Sequence, residues 1–204
     1  MLEIKYKVYP TLLNAYQAYL NNPSSDAKNK LLNRINRIND FDADTLQRFR
    51  KGSSFEDAVL KNVSHDFEVK KVLEMRAMLP QNYVSQQLIK FNHKNIQFYG
   101  YADVVGDNKI IDIKTTSRYS GAKFERNFQN LYLYGLKDMA FTEMSYFVYD
   151  FKEIHVETYA IDTFDFAAML QKMEDFALFL EANKSLITDE KIFVKPQIGG
   201  LFEN

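Results

Sequence analysis

The chain has 204 residues, of which 46% are hydrophobic, 15% aromatic and 26% charged, and its formal net charge is −1. That balance is globular and excludes disorder, and it gives no overall positive charge to advertise nucleic-acid binding. Cysteine is absent, which excludes disulfides, thiolate zinc sites, cysteine-ligated clusters and cysteine nucleophiles.

The opening "MLEIKYKVYP" lacks the apolar core of a signal peptide, and no apolar run reaches membrane-spanning length. A cytoplasmic protein with no membrane partner is the default expectation. Helical spacing of Leu12, Leu13, Tyr16 and Leu20 predicts a helix over 9–21, and a second is predicted from 25 to about 50 behind the cap candidate Ser24-Ser25-Asp26. Gly52-Ser53-Ser54 reads as a break. A new helix then starts at "FEDAVLKNV", and a further helical piece, "DFEVKKVLEMRAML", ends at Pro80.

Beyond Pro80 the apolar period changes to two. "YVSQQLIKF", "NIQFYGYADVV" and "KIIDIKTT" read as three consecutive antiparallel strands. A helix over "KFERNFQNLYLYGLKDM" follows, then strands "EMSYFVYDF" and "EIHVETYAI" joined by a tight turn near Lys152. After Thr163 an amphipathic helix places Phe166, Met169, Leu170, Met173, Phe176, Ala177 and Leu180 on one face. With no repeats or linkers, the expectation is a single α+β domain over 1–204, an α/β sandwich whose mixed β-sheet is flanked by helices. Its parts are a helical N-terminal extension (1–50), a core (52–184) and an irregular tail (185–204).

The chemistry concentrates in the hairpin "FYGYADVVGDNKIIDIKTTS". A two-residue turn at Asp107-Asn108 pairs Gly106 with Lys109, sets Asp103 opposite Asp112 and sets Tyr101 opposite Lys114. These four share one face, and Phe98, Gly100, Ala102, Val104, Ile111 and Ile113 take the other. Two facing carboxylates repel unless a cation lies between them. Lys114 can serve, and so can a divalent ion such as Mg²⁺, which takes oxygen ligands and shares its shell with water and phosphate. An ion so held activates water for phosphodiester hydrolysis, with Lys114 positioned to hold the water or neutralise the phosphate. Alternatively, the residues form an ion pair on a solvated sheet face. His65, His93 and His155 have no metal-pair spacing, and neither a phosphate loop nor a serine-nucleophile motif occurs.

"GYADVV" followed by "KIIDIKTT" resembles the paired signature of the PD-(D/E)XK nuclease superfamily, in its RecB-like and phage recombination exonuclease (RecE-type) branches. The resemblance covers residues 52–150 and is most specific over 100–116. It implies a restriction-endonuclease-like core, metal ligation by Asp103, Asp112 and the carbonyl of Ile113, and catalysis by Lys114 on Mg²⁺ or Mn²⁺. "KGSSFEDAVL" resembles the helix that presents an acid to the metal, here Glu56, or else an ordinary first-turn glutamate. "NFQNLYLYGL" resembles the glutamine-and-tyrosine helix motif, with Gln129 as the glutamine; Tyr132 and Tyr134 flank the usual tyrosine position, now Leu133, and read equally as packing residues.

By this resemblance the chain is a metal-dependent deoxyribonuclease, exonuclease-like, acting in phage or bacterial recombination or repair. Arg34, Arg37, Lys28 and Lys30, with Arg118, Lys123, Arg126 and Tyr132, would contact DNA. Taken alone, each of the two basic runs reads as a solvated helix face. A homo-oligomer and a recombination partner protein are further implications. The alternative is a non-catalytic nucleic-acid-binding or protein-interaction module on a nuclease fold.

Overall fold

The computed structural model describes residues 3–38 and 41–194. In chain order its elements are β1 (Tyr6–Val8), α1 (Pro10–Asn21), α2 (Ser25–Ile35), α3 (Ala43–Lys61), α4 (Val69–Ala77), β2 (Tyr83–His93), β3 (Ile96–Gly106), β4 (Lys109–Thr115), α5 (Leu131–Gly135), β5 (Glu143–Tyr149), β6 (Ile154–Ala160) and α6 (Phe166–Ala182). The fold is α+β with a mixed sheet flanked by helices, and the described strands form no closed barrel. No described helix is long and apolar enough to cross a membrane.

The chain forms two compact units interleaved in sequence, residues 1–39, 90–99 and 167–204, and residues 40–89 and 100–166, so neither coincides with the segments 1–50, 52–184 and 185–204. In the first unit β1 pairs in parallel with the start of β3, Tyr6 opposite Ile96 and Val8 opposite Phe98. Sequence patterning does not announce this three-residue strand. Helices α1 and α6 meet through rings, Tyr16 and Phe176 with centroids 4.9 Å apart. Of the face expected for α6, Leu170, Met173, Phe176, Ala177 and Leu180 are buried. Glu174 holds His93 at 2.7 Å and Lys94 at 2.5 Å, and Tyr6 donates to Glu181 at 2.8 Å. The tail expected to be irregular contains a 3₁₀ turn at Lys184–Leu186 and a bridge from Phe193 to Tyr6; residues 195–204 lie outside the described residues.

In the second unit the strands run β3-β4-β5-β6. The β3–β4 and β5–β6 pairs are antiparallel and β4–β5 is parallel, which makes the sheet mixed. Asp107 and Asn108 both adopt positive φ (46° and 60°), as a two-residue hairpin turn requires, and Gly106 pairs with Lys109 as expected. The turn near Lys152 is also present: the Asp150 carboxylate accepts the main-chain amides of Lys152 (2.9 Å) and Glu153 (2.7 Å). Phe55, Ala58, Val59, Val72, Met75, Val104, Ile111, Ile113, Phe147 and Tyr149 form the core.

Two expectations are corrected. The long helix from 25 to 50 is two helices, and the supposed break at Gly52-Ser53-Ser54 lies inside α3. Asp42 starts α3 by accepting the Thr45 amide at 2.6 Å, and burial of Phe55, Ala58 and Val59 carries the helix through the glycine. Gly52 serves a close approach instead, since a Cβ there would sit 3.2 Å from Thr115 Oγ1. At the far end of α3, Arg76 donates to Ala58 O (2.6 Å) and Val59 O (3.0 Å), satisfying carbonyls the helix leaves open.

The helix expected over 123–139 is likewise broken into a 3₁₀ turn (Phe128–Asn130), α5 and a second 3₁₀ turn (Lys137–Met139). Asparagine chemistry breaks it. Asn127 accepts the Gln129 amide at 3.0 Å, and Asn130 donates to the carbonyls of Phe124 (3.1 Å) and Glu125 (2.8 Å), which therefore need no helical partner.

Candidate active site

The hairpin ladder runs from Gly106/Lys109 to Val104/Ile111, and its offset leads on to Asp103 and Asp112. There the Asp103 carboxylate accepts the main-chain amide of Ile113 at 2.7 Å. Val104, Ile111 and Ile113 face the core as alternation demands. The other face is not solvated around Asp112, which is 1% exposed. The segment 128–133 covers it with buried Phe128, Gln129, Asn130, Tyr132 and Leu133, and β5 places buried Tyr146 beside it. An open surface ion pair is therefore excluded as the description of this residue.

Asp112 has two polar partners. Gln129 donates its side-chain amide to Oδ1, and the Lys114 ammonium meets Oδ2, which accepts no hydrogen bond from any other described residue. Glu56 on α3 and Asp103 are joined by a residue that pattern reading missed: Gln86 on β2 donates Nε2 to Glu56 Oε1 at 2.6 Å and to Asp103 Oδ1 at 3.4 Å. No sequence motif marks Gln86. Its signal is conformational, a φ of 52° inside a strand.

The electrostatics are those of crowded acids. Burial raises the pKa of Asp103 well above the usual carboxylate range, and the charge of Asp112 raises it further. Burial raises Asp112 as well, against the pull of Lys114, and burial followed by the Asp112 charge raises Glu56. Burial opposes the Lys114 ammonium, yet Asp112, Asp103 and Glu56 outweigh it and raise the lysine pKa. Tyr132 and Tyr146 are raised too, by burial and then by the Asp112 charge.

The structure thus brings Glu56, Asp103, Asp112, Lys114 and Gln129 into one linked cluster. Tyr132 is 3% exposed and donates its hydroxyl to Tyr101 O at 3.0 Å. Arg118 and Arg126 are exposed. Lys123 is also exposed, and its ammonium bonds back to its own loop, 3.0 Å from both Thr116 Oγ1 and Arg118 O. Arg34 and Arg37 belong to the other unit, where Arg37 pairs with Asp189 at 2.5 Å.

Among the described residues no three His, Cys, Asp or Glu side chains are grouped as a ready metal shell. The donor chemistry nevertheless fits a hard cation. Mg²⁺ takes one or two carboxylates and fills the remaining positions with water, main-chain or substrate oxygen. Asp112 Oδ2, buried with only the ammonium against it, is the oxygen that a cation would satisfy.

No family model matches the chain, and no curated protein sequence matches it. Among solved structures, SSO0001 is similar at 14% identity with a TM-score of 0.46, over 94% of this chain and 90% of that one. Rai1 from Scheffersomyces stipitis is similar at 14% identity with a TM-score of 0.37, over 92% of this chain and 62% of that one. A second Rai1 structure, in complex with (3'-NADP)+ and calcium ion, gives 15% identity and a TM-score of 0.36.

Proposed function

We propose that the chain is a metal-dependent nuclease of the PD-(D/E)XK type with a restriction-endonuclease-like core, a deoxyribonuclease of exonuclease-like action on Mg²⁺ or Mn²⁺. The observation that carries this reading is the buried Asp112 carboxylate with Lys114 against one oxygen, beside Asp103 and Glu56 whose charges it opposes. Burying a carboxylate is expensive, and a site that sets two further half-buried acids beside Asp112 against one ammonium has reason to hold a cation.

Asp103 and Asp112 would hold the ion, with Glu56 and the Ile113 carbonyl as further oxygen donors. A bound divalent ion lowers the pKa of a coordinated water and neutralises charge developing on the phosphate. Lys114, whose ammonium lies against Asp112 Oδ2, would donate to the attacking water or to the phosphate oxygens. Gln129 fixes the Asp112 rotamer, so that its second oxygen faces the lysine side. Exposed Arg118 and Arg126 would contact the DNA backbone.

The test is cleavage of linear and closed-circular DNA with Mg²⁺ or Mn²⁺, comparing the wild type with Asp112→Asn. Degradation of linear DNA alone, abolished by the substitution, is the expected result. Attack on circles would make the enzyme an endonuclease, and cleavage insensitive to the substitution would overturn the site assignment.

A second reading has its own support. Lys114 and Gln86 already compensate the acids, so the cluster can persist as a buried polar network in a non-catalytic nucleic-acid-binding or protein-interaction module. Thermal stability that is indifferent to Mg²⁺ and Mn²⁺, together with DNA binding without cleavage, would select it.

A further inference from the structure

Gln86 is exposed, neutral and far in sequence from both acids it touches, yet its Nε2 lies 2.6 Å from Glu56 Oε1 and 3.4 Å from Asp103 Oδ1. Its backbone φ of 52° is a left-handed conformation inside β2, which a residue bearing a Cβ adopts only at a cost. A residue held there breaks the strand's alternation. The contacts its side chain gains in return are the two to the acids.

An amide –NH₂ offers these oxygens what a cation offers, partial positive charge, but weakly and reversibly. A divalent ion shared by both carboxylates stands about 2.0–2.6 Å from each oxygen. The amide nitrogen already lies on that approach, close to Glu56 Oε1 at 2.6 Å and farther from Asp103 Oδ1 at 3.4 Å. We infer that the Gln86 amide is a placeholder for the cation, bridging Glu56 and Asp103 while the site is metal-free and swinging out to solvent when an ion enters. This inference rests on reading the acidic cluster as a metal site. Exposure lets the released amide rehydrate without loss, and release frees the side chain from the tether that the strained backbone supports.

Isothermal calorimetry of Mn²⁺ binding to wild type, Gln86→Ala and Asp112→Asn tests it, with thermal unfolding in EDTA as a second readout. Gln86→Ala removes the competitor and retains a Cβ at the strained position. It should bind Mn²⁺ roughly threefold more tightly or better, since a hydrogen bond to a charged group no longer has to be displaced. In EDTA its Tm should fall by about 2–4 °C, because the facing acids lose their bridge, and Mn²⁺ should restore it. Gln86→Leu keeps the length without the donor and should behave alike, which covers the case in which the alanine variant folds poorly. Unchanged or weaker Mn²⁺ affinity in both variants overturns the placeholder role. If Asp112→Asn abolishes binding while the Gln86 variants leave it unaltered, the placeholder alone fails. If Asp112→Asn binds as the wild type does, or no protein binds Mn²⁺, the metal-site reading fails and the placeholder with it.

Discussion

Asp103 on β3 accepts the main-chain amide of Ile113 on β4 at 2.7 Å through Oδ2, while Oδ1 is turned towards Gln86 at 3.4 Å. One carboxylate thus stitches the sheet with one oxygen and presents the other to the acidic cluster. The structural half of that role needs only a carbonyl-type acceptor, which asparagine also supplies. The other half needs charge.

That division makes Asp103→Asn informative about pH. Asp103, Glu56 and Asp112 all have folded pKa values raised above their ordinary ones, so between those limits the folded protein binds more protons than the unfolded chain. Their contribution to stability is greatest below pH 4 or so and is lost as pH rises through the shifted range. Asp103→Asn stays neutral and keeps the Ile113 bond. In EDTA it should be more stable than the wild type at pH 8 by on the order of 1 kcal/mol, with the gain shrinking towards pH 4. Urea unfolding at the two pH values measures this. A gain of equal size at both would show that packing, not charge, is responsible.

Lys114→Ala separates charge compensation from catalysis. Asp112 is 1% exposed and the lysine side chain 28%, so removing the ammonium strands a buried carboxylate to which water gains some access. Breaking a fully buried pair costs about 3–5 kcal/mol, and partial hydration should bring the loss here to about 2–3 kcal/mol in EDTA. Mn²⁺ should recover much of that stability, because the ligand set remains. DNA cleavage should nevertheless be lost, and retained cleavage with wild-type kcat/KM would remove the lysine from the reaction.

The hairpin was legible in sequence because its signals are local. Asp107-Asn108 fixes the turn, the turn fixes the register, and alternation sends Asp103 and Asp112 to one face. Gln129 and Glu56 could be placed only by resemblance, and the structure brings both into the cluster through segments whose form local pattern misjudged. Gly52-Ser53-Ser54 reads as a break by propensity, yet tertiary burial of Phe55 carries α3 across it and so puts Glu56 well inside a long helix and not in a first turn. The amphipathic look of 123–139 hides a 3₁₀ turn directed by Asn127 and Asn130, which carries Gln129 onto Asp112. Gln86 was invisible because a positive φ in a strand is imposed by contacts more than 15 residues away. β1 was invisible for a related reason, since three residues cannot display a period.

Glu157 on β6 tests the opposite electrostatic sign in the same unit. Burial alone would raise its pKa, but Tyr159 donates to it at 2.7 Å and the main-chain amides of Phe124 and Lys123 each at 3.1 Å, and these bonds lower it. It thereby anchors the loop that carries Arg118, Lys123 and Arg126 on β6. A depressed carboxylate contributes stability above its ordinary pKa, and that contribution is lost as pH falls through the folded value. Glu157→Gln keeps the size but turns an amide –NH₂ towards a donor that now lacks an acceptor. The expected loss at pH 7 is about 2 kcal/mol, the cost of an unmet buried donor together with a weakened charge-assisted bond. The difference from wild type should narrow below about pH 4, where the wild-type carboxylate itself becomes protonated. Urea unfolding across that range checks both points. Because this slope runs against that of Asp103, the double variant Asp103→Asn, Glu157→Gln should show a steeper rise in stability towards neutral pH than Glu157→Gln alone.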